Sequence, residues 1–164
     1  MPPKKIKVGI SACLMGFRYR YDGLTKMDRK VIEALDGKVD LIPVCPEVEC
    51  GMDIPRPKMH LEVSPRGTRI KVIESGEDKT PQMLEWAEHK LEQLAERDIA
   101  AFLFKSKSPS CGLASAKVFS NGGKRQLSDC GTGIFAKILT TRFPKMIVGE
   151  EVDLEEFIHR LGLD

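Results

Sequence analysis

The sequence predicts an α/β fold, a three-layer α/β/α sandwich built around a mostly parallel, Rossmann-like sheet. The first observation is that short apolar segments typical of buried strands alternate along the chain with segments of helical periodicity. The second is that 164 residues, 41% hydrophobic and 30% charged, match one soluble globular domain. Because no repeat or proline- and glycine-rich linker divides the chain, we expect a single domain over residues 1–164, with residues 1–4 as a flexible tail.

The first half of the chain is expected to begin with a strand, a helix and a second strand. Residues 5–10 carry apolar side chains at alternate positions, which predicts a short buried strand. Residues 27–35 place apolar side chains on one helical face, and Gly37 follows where a left-handed residue commonly ends a helix. Residues 39–44 predict a second strand. Residues 51–67 are rich in proline and glycine, which predicts a long irregular loop with a functional role.

The second half continues the alternation. Residues 68–74 predict an antiparallel edge strand, and Thr80 is expected to cap a helix that carries recurring leucines and ends near Arg97. Residues 99–104 are almost continuously apolar, which predicts a central strand covered on both faces. The remaining expected elements are a strand over residues 116–119, a helix over 133–142, a strand over 146–148 and a helix with a capping box over 153–161.

Charge and composition exclude several classes of function. The chain has 26 Lys and Arg against 24 Asp and Glu, a net charge of +2 that is too balanced for binding nucleic acid through phosphate neutralisation alone. Aromatic residues, at 6%, are too few for a base-stacking surface. No apolar run is long enough to cross a membrane, and the first residues lack the apolar core of a signal peptide. We therefore expect a cytoplasmic protein that does not associate with membranes.

Five cysteines stand out because a reducing cytosol disfavours disulfide bonds. They are widely spaced, with no C-x-x-C pair: Cys13, Cys45, Cys50, Cys111 and Cys130. Cys13, Cys45 and Cys111 each follow a predicted strand. The carboxyl ends of parallel strands meet at one edge of a sheet, where α/β proteins bind ligands. The sequence therefore predicts that these three thiols converge.

Three thiolates at one edge suit an iron–sulfur cluster better than zinc. Structural zinc sites take four protein ligands, and three-ligand catalytic zinc sites usually include histidine. Thiolates bind iron–sulfur clusters readily, and three ligands on a four-iron cluster leave one iron open to a substrate sulfur. Two alternatives stay open: three unrelated buried cysteines, or Cys50 as a fourth ligand that closes the cluster. Cys130 is expected to be a packed small residue.

Several short segments share a pattern with a known family. They are residues 11–16 (SACLMG), 21–23 (YDG), 43–47 (PVCPE), 55–56 (PR) and 105–112 (KSKSPSCG). Together, and in this order, they resemble the thiouracil desulfurases, formerly a domain of unknown function, over nearly the whole chain. The resemblance implies a [4Fe–4S] cluster on Cys13, Cys45 and Cys111, with the fourth iron free for the sulfur of a thiolated pyrimidine. It also implies catalytic roles for Glu47 and Ser106.

One region departs from the common family pattern. Cys50-Gly51 stands where many members carry paired glycines, and Lys58-Met59-His60-Leu61 stands where they carry a glutamate after Pro-Arg-Pro. This version is similar to that of longer proteins that act on thiouridine in tRNA and carry an additional C-terminal domain. The expected substrate is a small thiolated pyrimidine or its nucleotide, with tRNA as an alternative that is not favoured. His60 is a candidate substrate contact.

The expected reaction is a hydrolytic, non-redox removal of sulfur, with Glu47 and Ser106 managing protons. From the residues alone, a catalytic role is favoured for Glu47 over that of a solvated turn residue, because burial next to a thiolate raises the pKa of a carboxyl group. Ser106 is at least as readable as a loop hydroxyl bonded to its own backbone. Two further alternatives are a non-catalytic iron–sulfur or metal-binding protein, acting as a sulfur carrier or redox sensor, and a thiol enzyme with a bare cysteine nucleophile. Four basic residues are candidate phosphate contacts or scattered surface charge: Arg18, Arg20, Lys105 and Lys107.

Overall fold

The computed structural model describes residues 4–163, so most of the expected tail at residues 1–4 lies outside the described residues. The strands are β1 (Lys7–Ser11), β2 (Asp40–Val44), β3 (Met59–Glu62), β4 (Arg69–Val72), β5 (Ala101–Phe104), β6 (Ala116–Phe119), β7 (Gln126–Gly131) and β8 (Ile147–Glu150). The helices are α1 (Arg29–Leu35), α2 (Pro46–Glu49), α3 (Thr80–Glu96), α4 (Ile134–Arg142) and α5 (Leu154–Leu161). Short 3-10 turns cover Ala12–Met15 and Glu151–Asp153.

The first sheet is parallel throughout, with strand order β2-β1-β5-β8. Strand β5 is buried at all four positions, which confirms the central strand predicted from its apolar run. A cluster that includes Phe102, Phe104 and Phe135 packs α3 and α4 on one face of the sheet. Another cluster, which includes Val8, Val31 and Phe157, packs α1 and α5 on the other face. The predicted α/β class with a parallel core in three layers is confirmed.

The second sheet has strand order β4-β3-β6-β7 and mixes directions. Strands β3 and β6 are parallel, while β4 and β7 are antiparallel edges. The irregular loop predicted over residues 51–67 was therefore wrong in part, because it contains β3, which is buried along its length. The polar members of β3, His60 and Glu62, are buried as a pair with their Nε2 and Oε2 atoms 2.7 Å apart. Such a strand shows no hydrophobic alternation.

The two sheets share a core. Trp86 of α3 and Ile138 of α4 contact the apolar cluster between these helices and the first sheet, and they also contact the apolar cluster of the second sheet. The first residue of α3, Thr80, is not the expected N-cap, because its Oγ1 accepts the backbone N–H of Ile70 in β4 at 2.8 Å. The two helices thus fix one sheet against the other.

Two smaller expectations differ from the structure. Asp153 makes no side-chain capping bond at the start of α5, so the expected capping box does not form. Cys130 is exposed on the polar edge strand β7 rather than packed. In contrast, Gly37 has the expected left-handed backbone, with φ of 75°, just after α1. No helix within residues 4–163 is both long enough and apolar enough to cross a membrane.

Candidate functional site

Three cysteines lie at the carboxyl edge of the parallel sheet. Cys13 belongs to the 3-10 turn that follows β1, and Cys45 is the residue between β2 and α2. Cys111 lies in the loop after β5. Because β2, β1 and β5 are neighbouring parallel strands, the structure places all three residues at the same edge. We call them the three-cysteine group.

The three thiols lie close enough to influence one another. Burial raises the pKa of Cys13, and it raises that of Cys45 to about 12. Burial raises the pKa of Cys111 furthest, and a negative charge on Cys45 or Cys13, when either is a thiolate, raises it again. Cys111 is only 4% exposed. In the protein without metal these groups are therefore neutral thiols, each of which loses a proton when it binds a metal.

The loop that carries Cys111 is held by the first turn of α4. The N–H of Ile134 donates to the carbonyl of Pro109 at 3.0 Å, and the N–H groups of Phe135 and Ala136 donate to the carbonyl of Ser110 at 3.0 and 3.1 Å. These are the helix donors that have no partner within their own helix. A Cβ on Gly133 would stand 2.6 Å from the backbone nitrogen of Cys111, so only glycine fits there.

Glu47 lies on α2, two residues after Cys45, and is held from two sides. Its Oε1 accepts from Arg56 Nε at 3.0 Å, and its Oε2 accepts from the hydroxyl of Ser110 at 2.9 Å. The Glu47 side chain is 14% exposed, so this ion pair is largely shielded from water. Arg56 also donates to the carbonyl of Tyr19 at 2.7 Å. Glu47 therefore joins the Cys45 segment, the Cys111 loop and the loop after Cys13.

Ser106, buried in the loop after β5, is held by charged neighbours. Its N–H and its hydroxyl donate to the two carboxylate oxygens of Glu151, at 2.6 and 3.0 Å. The ammonium of Lys105 donates to the hydroxyl and carbonyl oxygens of Ser106, at 3.1 and 3.0 Å, and lies 3.0 Å from Glu151 Oε2. The charges of Lys105 and Glu151 both act on Cys13, so this group borders the three-cysteine group.

Sequence reasoning missed Glu151. This residue directly follows β8, a strand of the same parallel sheet. The rule that located the cysteines, that residues after parallel strands share one edge, would therefore have identified it. The contacts of Glu47 with Arg56 and Ser110 carry no comparable signal, because those residues are 9 and 63 positions away in the chain.

Cys50 lies apart from the three-cysteine group in its contacts. Its thiol donates to the carbonyl of Glu47 at 3.3 Å, and its side chain packs against the core of the second sheet. Burial raises the pKa of Cys50 to about 11, and the acting charges belong to Glu47, Arg56 and Lys79.

His60 lies in the second sheet rather than on a loop. Its ring is buried, bonded to Glu62 and stacked on Phe119 with 4.4 Å between ring centroids.

The donor set fits a cluster. Within residues 4–163, no three His, Cys, Asp or Glu side chains are arranged to hold a single metal ion. Thiolates are the protein ligands of four-iron clusters, and three neighbouring strands bring three separate thiols to one edge.

Comparison with known proteins agrees with the segments recognised in the sequence. A family model described as 2-thiouracil desulfurase matches residues 8–151. The uncharacterized protein YbbK of Bacillus subtilis (strain 168) is 30% identical over 149 residues, which cover 88% of this chain and 96% of that protein. A solved structure described as the [4Fe-4S]-dependent thiouracil desulfidase TudS has 32% identity and a TM-score of 0.72, over 99% of this chain and 100% of that chain. The chain belongs to the 2-thiouracil desulfurase family of enzymes.

Proposed function

We propose that the chain is a [4Fe–4S]-dependent desulfidase that removes sulfur from a thiolated pyrimidine of the thiouracil or thiouridine type by hydrolysis. The observation that carries the proposal is the position of Cys13, Cys45 and Cys111 after three neighbouring parallel strands. The description of TudS, which matches nearly the whole chain, supports both the cluster and the substrate class.

In this proposal the members of the three-cysteine group each bind one iron as thiolates. Cys50 stays outside the ligand set, because its thiol donates to a carbonyl of α2 and its side chain packs against the second sheet. Three such ligands would leave one iron of the cluster without a protein ligand. When bound, the cluster supplies Lewis acidity that polarises the C–S bond of a thiocarbonyl without net oxidation or reduction.

The hydrolysis requires proton transfers that the protein side chains provide. One water adds to the ring carbon, the C–S bond breaks, and sulfur leaves as hydrosulfide. Glu47 is suited to accept a proton from the water, because Arg56 and Ser110 fix both of its carboxylate oxygens. Its fixed orientation removes the cost of positioning the base during the reaction.

Ser106 is suited to carry the second proton. Its hydroxyl hydrogen points to Glu151, while its oxygen accepts from Lys105. To donate to a departing group the hydroxyl turns from Glu151, and the Glu151 carboxylate then returns to Ser106 a proton that it has taken from water.

We also propose that residues 1–164 form one desulfidase domain of a cytoplasmic protein. The support is that Trp86 and Ile138 contact the cores of both sheets and that all five cysteines are free thiols.

The test is anaerobic reconstitution followed by iron and sulfide analysis, an absorption spectrum and turnover of 2-thiouracil, 4-thiouracil and 4-thiouridine. We expect the iron and sulfide content of a four-iron cluster, and release of sulfide together with the oxygenated pyrimidine. Cys111→Ser should lose both the cluster and the activity. A fully loaded protein that converts none of these substrates would favour the non-catalytic carrier or sensor, and a requirement for thiolated tRNA would contradict the small-molecule assignment.

A further inference from the structure

Two cationic side chains act on Cys13. Burial is the largest effect on the pKa of this thiol and raises it, while the charges of Lys105 and Arg20 lower it. Coulomb interactions of this kind fall off with distance, so both cations lie near Cys13. Lys105 and Arg20 differ in how many of their N–H donors have a partner within the described residues.

The ammonium of Lys105 is fully used within the chain. Its three donors face the carbonyl oxygen of Ser106, the hydroxyl oxygen of Ser106 and a carboxylate oxygen of Glu151, all within 3.1 Å. An ammonium has three N–H donors. Lys105 is therefore a positioning residue for Ser106 and has no donor left for a ligand.

Arg20 has a donor without a partner. Its Nε–H is buried and donates to no acceptor among the described residues, although the side chain as a whole is 24% exposed. The nearest carboxylate oxygen, Asp22 Oδ1, is 3.8 Å away, and it accepts from the N–H of Leu24. Buried donors of guanidinium groups are rarely left unpaired, and each exception calls for an explanation.

The backbone around Arg20 is held in place. The N–H of Gly23 donates to the carbonyl of Arg20 at 2.9 Å, which closes a tight turn. Arg56, the partner of Glu47, donates to the carbonyls of both neighbours, Tyr19 and Tyr21, at 2.7 and 2.8 Å. The same arginine thus positions Glu47 and the loop that carries Arg20.

We propose that Arg20 binds the ring carbonyl edge of the thiolated pyrimidine, beside Cys13, and so determines which sulfur compounds the site accepts. This inference rests on the proposed desulfidase function. The guanidinium is planar and presents N–H donors in a fixed fork, two of which can donate to the two lone pairs of one ring carbonyl oxygen. A site built to bond such an oxygen rejects an analogue that lacks it more strongly than an apolar pocket does. The carbonyl that Arg20 binds is the one that is not attacked.

The experiment measures binding of the product rather than turnover alone. Uracil and the two pyrimidinones that each lack one ring carbonyl are titrated by calorimetry into reconstituted wild type, Arg20→Gln and Arg20→Lys. The matched control is Arg29→Gln, which removes an exposed arginine at the start of α1. Iron content and the absorption spectrum are recorded on each preparation.

The expected results separate Arg20 from general charge effects. Wild type should bind uracil at least about tenfold more tightly than one of the pyrimidinones, because a hydrogen bond to a charged group is worth about that factor or more. Arg20→Gln should lose about 10- to 100-fold in uracil affinity and most of this preference, with iron unchanged. Arg20→Lys, which keeps the charge without the planar donor pair, should lose the preference in part, and Arg29→Gln should match wild type.

Several outcomes would overturn the inference. Unchanged uracil affinity in Arg20→Gln would do so, as would loss of iron in that variant, which would assign Arg20 to the cluster instead. An equal loss of uracil affinity in Arg29→Gln would also overturn it, because it would reveal a nonspecific effect of charge. If wild type desulfurates 2-thiouracil while Arg20→Gln binds uracil normally, only this inference fails. If loaded wild type neither binds uracil nor converts a thiopyrimidine, the proposed function fails and this inference fails with it.

Discussion

The substitution Glu47→Gln separates proton transfer from assembly of the site. Glutamine has nearly the same shape, so its amide oxygen still accepts from Arg56 Nε and its amide nitrogen still meets the Ser110 hydroxyl, in place of bonds of 3.0 and 2.9 Å. Arg56 keeps its bonds to the carbonyls of Tyr19 and Asp53, so the guanidinium is not left unpaired. The fold should therefore persist.

The cost in stability follows from these two bonds. The bond from Ser110 changes from charge-assisted to neutral, and the bond from Arg56 keeps its charged donor but loses the charge of its acceptor. At about 1 kcal/mol each, the free energy of unfolding should fall by about 2 kcal/mol. For a chain of this length that corresponds to a melting temperature lower by about 4–8 °C. The loss of the titratable carboxylate should slow desulfuration by about 10²- to 10⁴-fold, the usual contribution of general acid–base catalysis.

The assay is the single-turnover rate on reconstituted protein, with iron per chain and the melting temperature measured on the same preparation. Glu85→Gln, at an exposed position on α3, is the matched control and should change stability by less than about 0.5 kcal/mol. A Glu47→Gln rate within about threefold of wild type, at equal iron content, would refute the proposed proton transfer. Loss of iron in this variant would instead make Glu47 a residue of site assembly.

Three further predictions concern other residues. Cys50→Ser should keep iron and turnover, because the Cys50 thiol donates to the carbonyl of Glu47. Cys111→Ser should lose both iron and turnover, and loss of iron in Cys50→Ser would identify Cys50 as a fourth ligand. Glu151→Gln should slow turnover by about 10- to 100-fold and alter its pH profile at constant iron, because an amide cannot return a proton to Ser106. An unchanged profile would leave Glu151 a purely structural role. Burial acts to raise the pKa of Glu62, but hydrogen bonds and a neighbouring lysine hold this pKa below the ordinary value of 4.5. The contribution of Glu62 to stability is therefore full above pH 4.5 and is lost as the pH falls through the pKa of Glu62 in the folded protein. In urea unfolding, Glu62→Gln should thus be less stable than wild type at neutral pH by a margin that shrinks below about pH 4.5, and a margin independent of pH would contradict this account.

The parallel sheet and its functional edge were predictable because their signals are local. Strand β5 is an unbroken apolar run, and the cysteines follow strands whose direction is set by intervening helices. The second sheet was predictable only in part: β4 and β6 match the strands predicted over residues 68–74 and 116–119, but β3 and β7 gave no such signal. Strand β3 buries a histidine and a glutamate that satisfy each other, and β7 is a mostly exposed polar edge, so neither has the hydrophobic pattern on which strand prediction depends.

The cysteines could be anticipated, but their polar partners could not. The contact between Glu47 and Ser110 spans 63 positions, and that between Ser106 and Glu151 spans 45. Such contacts depend on how loops pack at the sheet edge, which no local spacing encodes. The resemblance to a family named Glu47 and Ser106, whereas the structure supplies the groups that orient them.

The contacts of the Cys111 loop have a consequence for the order in which the site is completed during protein synthesis. Cys13 and Cys45 leave the ribosome early, but the Cys111 loop is held by residues 133–136 and the Ser106 segment by Glu151. A nascent chain shorter than about 150 residues therefore presents cysteines without the surroundings that position them. Delivery of iron and sulfide should accordingly succeed after translation of this region, on a folded protein, rather than on the emerging N-terminal half.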